Sequence, residues 1–183
     1  MVSESTLTLD ILPLSADTAR LVRVYGTEPC IALPGALPAP EGGSFAVTEL
    51  GDYCFSEKPR SLPAADKTCR YEAAPDGTAR LTRAFGQTVG GTCRRYDFDF
   101  DAPASDADTL HPVCGNFLEE LTLPDSLQVV GSCAFYNCRK LRLLTVGTGS
   151  LTMGSDVFLE LLRAGDHPGC RQALKNLPAC LPL

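Results

Sequence analysis

The side chains best placed for chemistry are a run of carboxylates, nine cysteines and one glycine-rich segment. In Tyr96-Asp97-Phe98-Asp99-Phe100-Asp101 the acids fall at positions 1, 3 and 5 of a calcium loop, with Asp108 at position 12. That loop needs glycine at its sixth position, where Ala102 stands, and prefers glutamate at its twelfth. Strict alternation of aromatic and acid is the pattern of a half-buried strand, which is the expectation here. Zinc would need Cys114, Cys133, Cys138 and His111 to converge from separate parts of the chain, and no CxxC spacing supports this. The run Gly86–Thr92 has no lysine after its glycines, so a hairpin loop is expected in place of a phosphate cradle. There is no G-x-S-x-G elbow, and two histidines offer few general bases. No catalytic residue, no metal site and no cofactor is assigned, and the chain is not expected to be an enzyme.

Bulk properties narrow the partner. A net charge of −6 and a pI near 4.9 give no surplus of Lys and Arg for a phosphate backbone, so nucleic acid is not expected. Arg94-Arg95 and Arg139-Lys140 with Arg142 read as solvated positions. The start, MVSESTLTLDILPL, lacks a basic n-region and a long apolar core. No apolar run approaches bilayer length, so no membrane insertion is expected. The chain as written reads as cytoplasmic, and as cell-surface or secreted if its N-terminus is not native. Nine cysteines at 30, 54, 69, 93, 114, 133, 138, 170 and 180 are then expected to be reduced thiols acting as small hydrophobes.

Those side chains must be positioned by elements, and the elements repeat. Shifted by 23 residues, Leu118 falls on Leu141, Leu121 on Leu144, Thr122 on Thr145, Gly131 on Gly154, Ser132 on Ser155 and Phe135 on Phe158. Leu121 and Leu123, two apart, point to one side of a short strand ended by Pro124-Asp125. Gly131 is expected to take a backbone shape closed to other residues and to turn the chain onto an opposite wall. Phe135 then points back inward, with Cys138 filling a smaller gap. One such unit cannot bury its own apolar edge, so neighbours must stack.

A stretched unit lies earlier. Ile31-Ala32-Leu33-Pro34 corresponds to Leu121-Thr122-Leu123-Pro124, and Leu50–Phe55 to Val130–Phe135, with ten extra residues rich in Pro and Gly between. Those ten are expected to form a surface loop. A second element recurs at an offset of 60: Thr18–Gly26 matches Thr78–Gly86 at six of nine positions.

In chain order, 1–57 holds an N-terminal hairpin and the stretched first repeat. A linker and β-meander insertion (Arg70–Ala73, Thr78–Phe85, Thr92–Asp99) occupy 58–113. Two repeats follow in 114–163, and a short helix with an apolar tail in 164–183.

The residues Leu118–Leu127 and Val130–Cys138, together with Val47–Phe55, resemble the leucine-rich repeats of the BspA-like type. The resemblance implies a mainly β chain with short helical turns. It implies a right-handed, strand-lined leucine-rich-repeat solenoid preceded by an N-terminal hairpin; the inserted β-meander of 58–113 is a departure from that family pattern. It further implies a bacterial protein-interaction scaffold without catalysis, whose partner is another protein or a surface ligand. Side chains beside the inward leucines would line the contact face: Glu119, Glu120 and Thr122 in one rung, Arg142, Leu143 and Thr145 in the next. The competing reading is a cysteine-based metal-binding or redox module.

Overall fold

The computed structural model describes residues 7–56, 67–74, 77–84, 114–147 and 149–158. Their regular structure is almost wholly strand. Eleven strands run β1 (Leu7–Pro13), β2 (Thr18–Tyr25), β3 (Cys30–Ala32), β4 (Ala36–Pro38), β5 (Ser44–Leu50), β6 (Cys69–Ala73), β7 (Ala79–Arg83), β8 (Glu120–Thr122), β9 (Val129–Val130), β10 (Leu143–Thr145) and β11 (Thr152–Met153), with a 3-10 turn at Cys114–Asn116.

The 23-residue period is a pairing register. Leu121 lies opposite Leu144 in the parallel pair β8–β10, and Val130 opposite Met153 in the parallel pair β9–β11. The stretched unit stacks on the other side, with β3 parallel to β8 and β5 parallel to β9. Partners are 90 residues apart on the first wall (Ile31 with Leu121) and 80 on the second (Leu50 with Val130), which isolates the ten extra residues. Three turns of chain are thus stacked, each with one strand on each wall. Inside, Ile31, Leu121 and Leu144 are buried in line, and beyond them Phe55, Phe135 and Phe158 form a column. Their ring centroids are 5.2 and 5.5 Å apart, with interplanar angles of 21° and 8°.

Two expectations need correction here. The ten extra residues are no irregular loop: Ala36–Pro38 pairs antiparallel with Ser44–Ala46, and Leu37 is fully buried. The reason is that Leu37 and Phe45, opposite one another, add apolar surface to the core, which a solvated loop would forgo. Gly131 does not take a left-handed backbone. The positive φ falls two residues later, at Tyr53, Cys133 and Asp156 in the three turns (55°, 55° and 53°). Gly131 is required by close approach: an added Cβ would sit 2.5 Å from the Gly51 carbonyl carbon.

The ten-residue arm is fastened at its base. The Ser126 hydroxyl lies 2.8 Å from Val47 O and 3.2 Å from Gly35 O, on either side of the arm. Ser126→Ala should cost about 1 kcal/mol in a denaturant melt. A change within a few tenths would show that the hydroxyl is idle.

The N-terminal hairpin takes the place of a preceding turn. β2 runs parallel to β5, and Gly51 N donates to Leu21 O just as Gly131 N donates to Leu50 O and Gly154 N to Val130 O. The second hairpin, β6–β7, returns across the sequence to pair with β1. It copies the first in detail. Leu9↔Val24 and Ile11↔Leu21 bracket a bulge after Asp10, and the β6–β7 register shifts at the same place, after Arg70. The turns match too, with Leu14 N to Thr18 O at 2.9 Å and Ala74 N to Thr78 O at 2.8 Å. Between the hairpins, Leu9↔Tyr71 and Ile11↔Cys69 exchange under the 60-residue offset, whereas Asp10↔Arg70 maps onto itself. A local two-fold therefore passes through Asp10 and Arg70, which form a two-pronged ion pair at 2.7 and 2.8 Å. The sheet order is β11-β9-β5-β2-β1-β6-β7, curled so far that β4, off the edge of β5, comes alongside β7.

The third strand expected at Thr92–Asp99, the linker over most of 58–67 and the terminal helix and tail of 164–183 lie outside the described residues, as do Tyr96–Asp101, His111 and Arg94-Arg95.

Candidate binding surface

The sheet β3–β8–β10 presents one face outward because its middle residues, Ile31, Leu121 and Leu144, turn inward. Two rows remain. Cys30, Glu120 and Leu143 lie side by side, and Ala32, Thr122 and Thr145 lie beside them. All six residues read from the sequence therefore stand on two adjacent rungs. Glu120 and Leu143 are half-buried, and Thr122, Thr145 and Arg142 are exposed. Glu119 and Arg142 occupy equivalent positions just before their strands.

The face carries its own electrostatic network. Arg142 reaches Glu119 at 3.2 Å through Nε and Glu120 at 2.6 Å through its terminal nitrogen. The backbone holds the same residues: Arg142 N and Leu143 N both donate to Glu119 O, and Glu119 N and Glu120 N both donate to Pro29 O. Two carboxylates thus share one guanidinium, which orients all three for little net stability, since exposed pairs are worth about 0–1 kcal/mol. At the rim, the Lys140 ammonium lies 5.9 Å from the Phe117 ring centroid.

Cys30 belongs to this face, and reading the strands one by one had missed it. Aligning Ile31 with Leu121 already puts Cys30 at the place of Glu120, so the signal was present. It is exposed. Lost hydration first, then the Glu120 carboxylate, push its thiol above the usual value, with Arg142 pulling the other way. At neutral pH the group is a protonated thiol and a poor nucleophile.

Cys54, Cys69, Cys133 and Cys138 are buried and not joined in disulfides. Among the described residues no group of three or more His, Cys, Asp or Glu side chains is placed to hold a metal ion. A depression lined by Leu123, Pro124, Leu127, Val146 and Leu151 encloses no water-sized volume. The outward rows of this sheet mix Glu120, Thr122 and Thr145 with Cys30, Ala32 and Leu143.

No protein-family model matches this sequence. No curated protein matches it either. Among solved structures, the crystal structure of a leucine rich cell surface protein from Faecalibacterium prausnitzii A2-165 is similar, with 16% identity and a TM-score of 0.48. The similarity covers 85% of this chain and 27% of that one, so the chain spans about a quarter of that protein's length.

Proposed function

We propose that the chain is a short leucine-rich-repeat solenoid of the BspA-like type, working as a non-enzymatic scaffold that binds another protein or a surface ligand through the β3–β8–β10 face. The observation that carries this reading is the coincidence of the 23-residue period with the strand register, which brings Glu120, Thr122, Leu143 and Thr145 onto neighbouring strands, with Glu119 and Arg142 just before them. Side chains set in open rows along adjacent strands suit a macromolecule better than a small molecule, whose sites are concave. The carboxylates and guanidinium give it fixed polar contacts, and Leu143 gives it an apolar one.

The test is affinity capture with the wild type and with a triple variant, Glu120→Ala, Arg142→Ala and Thr145→Ala. Gln128→Ala with Thr152→Ala on the opposite wall is the control. The triple variant should lose at least about tenfold in capture of a partner that the control retains, because a few residues carry most interface energy. Equal capture by both would remove this face from the function.

Cys30 also reports the compartment. A membrane-impermeant maleimide applied to intact cells at mildly alkaline pH labels the wild type more than Cys30→Ser if the chain is displayed at the surface, and labels neither if the chain is cytoplasmic.

A further inference from the structure

We propose that the strands β4 and β7 form an opening seam, along which the ten-residue arm lifts as a strap while the stacked turns stay closed. Followed strand to strand around the sheet, the pairings give β4 and β7 the same direction. They are in contact, yet among the described residues β4 is laddered only to β5 and β7 only to β6.

The chemistry of β4 accounts for part of the missing ladder. Pro38 has no N–H, so its place in the β4–β5 pair is one where the amide would point away from β5. That direction is the seam, and in a strand the carbonyl of a residue points the same way as its amide. Pro38 O does point there, because it accepts the Tyr71 hydroxyl at 2.7 Å. Burial holds the Tyr71 phenol far above its ordinary pKa, so this donor keeps its proton well into alkaline pH.

The rest of the closure is packing. Leu37 is fully buried, with Leu81 partly buried against the same core. Gly77 rests against Ala32 O and Pro34, where an added Cβ would lie 3.4 and 3.7 Å away. The far side of the same hairpin is held much more firmly, by the β1–β6 ladder and the Asp10–Arg70 pair. The arm is also the part of the first turn that the other two turns lack, so its departure breaks none of the parallel pairs between turns.

Amide hydrogen exchange of the native chain tests this directly. Amides of Ala36 and Leu37 and of β7 should exchange through an opening that leaves β8 and β1 protected. Tyr71→Phe, which keeps the ring and removes the latch, should speed exchange of the β4 amides about fivefold, the worth of one hydrogen bond, with β8 unchanged. Protection of β4 equal to that of β8 in the wild type overturns the proposal. So does a Tyr71→Phe effect spread evenly over both, or no effect at β4.

Discussion

Truncating Phe135 to alanine is expected to lower the stability of the chain by about 3–5 kcal/mol. The ring is fully buried and sits between Phe55 and Phe158, at 5.2 and 5.5 Å. Its loss removes apolar surface, opens a cavity and breaks two stacked pairs, each worth about 0.5–1.5 kcal/mol beyond area. The cavity cannot collapse easily, because the backbone on both sides is pinned: Phe55 N donates to Ala134 O, and Phe135 N to Val157 O. For a chain of this size the melting temperature should fall by roughly 6–20 °C. Phe158→Ala should cost less, since Phe158 stacks on Phe135 alone among the described rings and is slightly exposed. Urea melts of both variants decide it. A Phe135→Ala loss under about 1.5 kcal/mol, or one no greater than that of Phe158→Ala, would mean that the column is not the spine of the stack.

The second large effect is expected at Gly131. A methyl group there would meet the Gly51 carbonyl carbon at 2.5 Å and the Asp52 nitrogen at 2.6 Å. Both obstacles are backbone, so no rotamer change can relieve them, and the turns must part. Parting them also strains the bond from Ser132 N to the Asp52 carboxylate, 2.7 Å long. Gly131→Ala should therefore cost about 3 kcal/mol or more, the upper end of overpacking penalties. Gly154→Ala should behave alike, since its Cβ would sit 2.5 Å from Ser132 N. Gly42→Ala separates this mechanism from backbone strain. It has φ of +99° but nothing within 4 Å, so its cost should be about 1 kcal/mol. If Gly131→Ala and Gly42→Ala melt together, close approach is not what Gly131 supplies.

How much of this was legible in the residues differs from element to element. The 23-residue spacing maps directly onto strand pairing because each turn stacks on an equivalent turn, so sequence offset and spatial register are the same quantity. Alignment of Ile31 with Leu121 and Leu50 with Val130 survived 90 and 80 residues of separation for the same reason. The face residues followed from this, by alternation about the inward leucines. What alternation could not carry was the destination of β6. Its pairing with β1 is antiparallel and non-repeating, set by how two hairpins meet, and no period encodes it. The role of Gly131 was misread because glycine answers two demands, positive φ and close approach, and composition does not distinguish them. The Pro- and Gly-rich arm read as loop because Leu37 alone did not reveal a strand, and its partner Phe45 becomes visible only once the two are paired.

The two-fold between the hairpins bears on how the chain avoids its neighbours. Asp10 and Arg70 are the same position in two copies of one hairpin, facing each other across the axis. Were the copies identical there, like charges would confront each other at hydrogen-bonding distance. Opposite charges at that one place favour a hairpin meeting its counterpart and penalise a hairpin meeting its own twin. Within the chain β1 meets β6, whereas two molecules offering β1 to β1 would bring two carboxylates together. Pairing of β1 with its own copy in place of β6 is discouraged by this one divergent pair.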